Sequence, residues 1–148
     1  MSLERYGNAM EGDEIATFLE SQGIGTLAFG NETGGYAIPM SFGYDSAGDR
    51  CIFQFAFGDE SEKAAFLDEA KSVTLSVYEW QGVDNWRSVV FRGSLNKISS
   101  EESAKAAGIF AAHAEIASLE VFRRPLEELD LEWYELRIEE KDGIQSTA

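Results

Sequence analysis

Lys63 and Arg87 are two of the 12 basic residues in a chain that carries 27 acidic ones. Each has a serine close by, in Ser61-Glu-Lys63 and Arg87-Ser88. A cation with hydroxyls around it is what a phosphate-type anion needs, above all at a helix start, where unpaired N–H groups face the ligand. Ser61 stands where a short helix is predicted to open. A second set of residues suits a flat ring. Pro39-Met40-Ser41-Phe42 places a proline inside a β-run, which breaks regular pairing and frees backbone groups for a ligand's edge. Phe55, Phe57 and Trp86 offer aromatic walls. Each feature also has a plainer reading. Ser-x-Lys commonly caps a helix beside a solvated lysine, Arg87 suits a surface ion pair among so many carboxylates, and aromatic residues commonly fill a core.

The elements that must position these residues follow from periodicity and turn chemistry. Ile15, Phe18 and Leu19 recur at helical spacing, predicting a helix over 13–22 with Asp13 near its N-cap. Strands are predicted over 26–29, 36–44, 50–57, 72–80, 86–98 and 131–138. The Asn31–Gly35 turn has glycines able to supply positive φ, and a further turn spans 45–49. Helices are predicted over 62–69 and from the capping-box pattern Ser99-Ser-Glu-Glu102 to about Val121, with Arg123-Arg-Pro125 as a breaker. Six short strands with few helices indicate a mainly β chain, an antiparallel barrel or sandwich with added helices. Residues 1–148 read as a single domain with no repeat or linker.

Composition narrows the function classes. Hydrophobic residues make up 44% and aromatics 12%, a globular balance. No apolar run is long enough to span a bilayer and no signal pattern opens the chain, so the expected location is cytoplasmic. The formal net charge is −15. Such a surface repels itself at low salt, and about 1 M salt shortens the screening length to roughly 3 Å. A salt-adapted, halophilic protein is therefore expected. The same charge argues against nucleic acid as a partner. One cysteine, Cys51, and one histidine, His113, assemble neither a zinc site nor a Ser-His-Asp set. No metal is expected, and no residue is nominated as catalytic.

Taken in order, Gly25-Thr-Leu-Ala28, Tyr36-Ala-Ile-Pro39-Met-Ser-Phe42-Gly-Tyr44, Ile52-Phe-Gln-Phe55, Ser61-Glu-Lys63 and Trp86-Arg-Ser-Val-Val-Phe-Arg-Gly93 resemble the pyridoxamine 5'-phosphate oxidase-like flavoproteins. The closing Leu131-Glu-Trp-Tyr-Glu-Leu-Arg137 resembles their last barrel strand. The resemblance implies a six-stranded antiparallel split β-barrel of the FMN-binding type, forming a homodimer with FMN at the interface. It implies that Pro39, Met40, Ser41 and Phe42 line the flavin ring and that Gln54 and Phe55 touch it from the next strand. It further implies that Ser61 and Lys63 hold the phosphate, and that Trp86, Arg87 and Ser88 approach from the second subunit or the ring's edge. The activity implied is that of an FMN-dependent oxidoreductase on a small molecule. A non-catalytic flavin-binding or storage protein and a deazaflavin (F420)-dependent reductase are the alternatives on the same fold. Haem binding is disfavoured, because His113 lies outside the matched region. Two departures matter. Pro39 and Tyr44 stand near where true oxidases of this type carry cations, and the C-terminal 143–148 lacks their Arg- and His-bearing segment. Pyridoxamine phosphate is therefore not the expected substrate.

Overall fold

The computed structural model describes residues 7–31, 34–57, 72–113 and 130–147. Eight antiparallel strands form one sheet: β1 (Asn8–Ala9), β2 (Ile24–Asn31), β3 (Gly34–Ser41), β4 (Gly43–Asp45), β5 (Arg50–Phe57), β6 (Val73–Gly82), β7 (Asn85–Lys97) and β8 (Asp130–Gln145). The expected count of six is thus corrected to eight. One added strand is the two-residue β1, too short to show a period of its own; the other arises because the strand expected over 36–44 is split at Phe42 into β3 and the three-residue β4. The order is β3-β2-β6-β7-β8-β5-β4, with β1 beside β8. The two ends of that order, β3 and β4, are consecutive in the chain. Phe42 separates them and donates its N–H to the Gly23 carbonyl at 2.9 Å. One chain segment therefore changes partner from β2 to β5 at Phe42 and closes the sheet into a split barrel, as expected for the fold class.

Alternation along the strands fills the barrel. Val73, Leu75 and Val77 on β6, Val89 and Phe91 on β7, and Leu27 and Phe29 on β2 all turn inward and are buried. Gly93 marks a bulge between β7 and β8: Arg92 pairs with Glu140 and Gly93 with Ile138, which leaves Glu139 extra. A Cβ on Gly93 would lie 1.7 Å from the Arg137 carbonyl oxygen, so only glycine fits.

Helix α1 (Gly12–Ser21) closes one mouth of the barrel with Ile15, Phe18 and Leu19. Its N-cap is Glu11, not Asp13, because Glu14 reaches back to accept the Glu11 N–H at 3.0 Å in a capping box. Helix α2 (Ser103–His113) packs outside β4 and β5, where Ala106 meets Ile52 and Ile98. The capping box expected at Ser99 does not form. Residues Ser100–Glu102 make a 3₁₀ turn first, and Ser103 Oγ donates to the Ser99 carbonyl instead. The expected helix over 62–69 and the extension of α2 to Val121 lie outside the described residues. Residues 32–33 of the first turn do too, and none of the described glycines has a positive φ. In the second turn that conformation falls to Asp49, with φ 47°.

A charge network secures the β4–β5–β8 end. Arg50 is buried and bonds Asp45 Oδ2 at 2.9 Å and Glu135 Oε2 at 2.6 Å. Burial alone would raise both carboxyls, but the Arg50 hydrogen bonds outweigh it and hold them below the usual range. Burial and the hydrogen bond to Asp49 push the Tyr44 phenol well up. Burial also pushes up the Cys51 thiol, which leaves it inert.

Candidate functional site

Strand alternation divides the expected site residues between two faces of the sheet. In the β2–β3 register Pro39 lies opposite Thr26 and Ser41 opposite Ile24. Thr26 in turn lies opposite Ser76 on β6. Across the β6–β7 hairpin, Tyr78 faces Ser88 and Trp80 faces Trp86. Directly opposed residues share a face and every second residue repeats it. Pro39, Ser41, Trp86 and Ser88 therefore belong to one outer face, together with Ile24, Thr26, Ser76, Tyr78, Trp80 and Val90. Every one of these side chains is uncharged, in a chain of net charge −15. Pro39 sits on β3, which ends the strand order, so its missing N–H interrupts no ladder on the free side.

The outer face is apolar where it is most open. Tyr78 is 69% exposed and Trp80 60%. With Trp86 and Ser88, and with Glu79 and Arg87 between them, these residues line an open cleft of about 340 Å³. Aromatic rings left this exposed carry a hydration cost of roughly 2 kcal/mol each, which an occupant would relieve.

The other expected residues lie elsewhere. Met40, Phe42 and Phe55 point into the core, and Phe42 and Phe55 are 0% exposed. Their rings pack in a chain: Phe42 to Phe53 at 6.4 Å, Phe53 to Phe55 at 6.3 Å and Phe55 to Tyr134 at 5.2 Å. Phe55 is thus a core residue whose ring presents no wall to a ligand. Gln54 points outward on β5 beside Trp133, on the side that carries α2. Arg87 alternates away from Trp86 and Ser88. Its Nη2 lies 2.8 Å from Glu79 Oε1, and its guanidinium carbon stands 4.6 Å from the centre of the Phe18 ring. Ser61 and Lys63 lie outside the described residues.

Sequence reasoning missed Tyr78, Trp80, Ile24 and Thr26. The signal was available in β6: after Val73, Leu75 and Val77 mark the inner face, the bulky apolar residues at 78 and 80 fall on the face that should meet water.

A family model described as pyridoxamine 5'-phosphate oxidase matches residues 11–145. No curated protein matches the sequence. Among solved structures, a FAD-binding protein from Mesorhizobium loti is similar at 16% identity and a TM-score of 0.71, over 95% of this chain and 98% of that one. A FAD-binding protein from Mycobacterium smegmatis is similar at 12% identity and 0.68, over 95% and 99%. The flavocytochrome Anf3 from Azotobacter vinelandii is similar at 17% identity and 0.68, over 95% and 70%. At these identities the structural likeness speaks for the fold alone. Among the described residues no helix is long and apolar enough to cross a membrane.

Proposed function

Because this chain belongs to the pyridoxamine 5'-phosphate oxidase family, we propose that it is a flavin-binding oxidoreductase, with FMN as cofactor and a small molecule as substrate. The observation that carries this reading is the outer face of β3, β2, β6 and β7, which Pro39, Ser41, Trp86 and Ser88 share and whose one charged member among these strands' described residues, Arg92, lies away from the aromatic end and pairs with Glu140. In so acidic a chain, an aromatic face so nearly free of charge is matched to a covering partner. We take that partner to be a second copy of the chain in a two-fold homodimer, with the flavin ring between the copies. When bound, the flavin supplies hydride or electron transfer, so the protein need only bind, orient and shield it. Trp80 and Trp86 would wall the ring, and Ser88 beside them would bond its rim. Ser61 and Lys63 are the residues proposed for the phosphate, at the start of the helix predicted over 62–69.

Similar proteins described as FAD-binding support flavin as the cofactor class. FMN, rather than FAD, is the form that the sequence resemblance implies. The departures at Pro39 and Tyr44 remove cations that would grip a phosphorylated substrate, so the substrate proposed is unphosphorylated. The test is an absorption spectrum of freshly purified protein, mass spectrometry of what heat releases, and reduction by NADH or NADPH followed by reoxidation. A yellow protein that releases FMN and turns over supports the reading. A yellow protein that no donor reduces is a flavin carrier, and a protein that neither holds nor binds a flavin removes the proposal.

A further inference from the structure

We propose that Arg87 is a positioning residue of the aromatic cleft, and that it is not the cation that receives the ligand's phosphate. This rests on the flavin reading above and reverses the role that the Arg87-Ser88 pair suggests in sequence. Three observations carry it. Arg87 turns to the face opposite Trp86 and Ser88, because successive strand residues alternate. Its guanidinium is already engaged, with Nη2 2.8 Å from Glu79 Oε1 and the Phe18 ring 4.6 Å away. Glu79 in turn accepts a long hydrogen bond, 3.4 Å, at its Oε2 from Nε2 of Gln22, the residue that caps the end of α1.

The consequence is mechanical and electrostatic. Glu79 and Arg87 are directly opposed, between the Tyr78–Ser88 and Trp80–Trp86 pairs. Fixing this pair to α1 fixes the twist and spacing of the hairpin that carries the cleft. The ion pair also leaves no free positive charge there. A phosphate reaching for Arg87 would meet the Glu79 carboxylate one hydrogen-bond length beyond it, and the repulsion would offset the attraction. The cleft is thereby set to accept the uncharged ring of a flavin and to leave its phosphate to another cation.

FMN and riboflavin share the ring and differ by the phosphate, so their affinities separate the two roles. Binding is measured in 1 M KCl, which screens the overall charge, for wild type, Glu79→Ala and the charge-neutral double variant Arg87→Ala/Glu79→Ala. Flavin fluorescence reports how closely indoles stack on the bound ring. The expected result is an equal loss for FMN and riboflavin, about fivefold, in the double variant, and a similar loss of riboflavin in Glu79→Ala, the size of a partly exposed ion pair with a cation–π contact. Quenching of the bound flavin should fall in both, as the indole pair shifts. A double variant that loses FMN tenfold and keeps riboflavin overturns the inference. So does Glu79→Ala leaving riboflavin affinity unchanged, and so does no change in either affinity in the double variant. If wild type binds neither flavin, the flavin reading itself fails and this inference falls with it.

Discussion

The Arg50 guanidinium and the Glu135 carboxylate, 85 residues apart in sequence, meet at 2.6 Å inside the protein. Asp45 bonds the same guanidinium at 2.9 Å. A single buried cation thus ties β4 and β8 to β5. Arg50→Met would leave Asp45 without a counter-charge and Glu135 with Arg137 alone, 2.7 Å from its Oε1, and should cost about 3 kcal/mol at pH 7. Asp45 and Glu135 are held below their ordinary values in the folded state. Their stabilisation is therefore complete above the unfolded values of about 4, and it is lost as pH falls through the lower folded ones. The gap between wild type and Arg50→Met should be widest near neutrality and should narrow below about pH 4. Urea unfolding over a pH series reads both; a gap independent of pH would show that the carboxylates are not coupled to Arg50.

Gly93 makes a different kind of prediction, because no charge is involved. A methyl at this position would sit 1.7 Å from the Arg137 carbonyl oxygen, a backbone atom held in the β7–β8 ladder. Gly93→Ala should destabilise by at least about 3 kcal/mol, through distortion of the bulge. Gly82→Ala is the control, since a Cβ there meets nothing within 4 Å. Equal melting temperatures for the two variants would contradict the bulge geometry.

The charge of −15 sets the salt response. Self-repulsion among exposed carboxylates weakens as salt shortens the screening length to roughly 3 Å at 1 M. The melting temperature should rise by about 5 °C between dilute buffer and 1 M KCl, the response of a chain this size to roughly 1–2 kcal/mol. Calorimetry in the two buffers measures it, and equal transitions would remove the case for salt adaptation.

How much of this was legible in the sequence depends on what each feature needs. The alternation of Val73, Leu75 and Val77 is local, and it marked β6 and its inner face directly. Strand β1 has no such pattern and exists because Ile144 lies opposite Ala9, while β4 is the end of the strand expected over 36–44 and is separate only because Tyr44 pairs with Cys51 of β5 rather than with β2. Phe55 reads equally as wall or core until β8 brings Tyr134 against it. Pro39 was legible as an edge residue, since proline has no N–H to give. Arg87 shows the reverse: period 2 separates it from Trp86 and Ser88, but its partners Glu79, Gln22 and Phe18 come from two other elements. The Ser99 pattern met the capping-box rule and still failed, because a 3₁₀ turn took up Ser100–Glu102.

Lys63 is the remaining candidate for the phosphate once Arg87 is committed to Glu79. A charge-assisted contact of this kind is worth about 1.5–3 kcal/mol. Lys63→Ala should therefore weaken FMN by roughly 10- to 100-fold and leave riboflavin unchanged. Isothermal titration with both flavins gives the ratio. Equal effects on the two would place the phosphate on another group.

The outer face makes the last prediction, about assembly. Tyr78 and Trp80 are 69% and 60% exposed in the single chain, and the side chains around them on β2, β3 and β7 carry no charge. If a second copy covers this face, a carboxylate placed at its centre would be buried against a partner bearing the same charge at the same site, since a two-fold interface repeats every residue. The desolvation of two like charges costs several kcal/mol and outweighs what the remaining aromatic contacts return. Trp80→Asp should therefore be monomeric at concentrations where the wild type is dimeric, with an unchanged far-ultraviolet circular dichroism spectrum. Thr17→Asp, on the exposed side of α1, adds the same charge away from the face and should leave the dimer intact. Sedimentation equilibrium in 1 M KCl, where the overall repulsion is screened, separates the two. A Trp80→Asp variant that remains dimeric would place the interface elsewhere on the barrel.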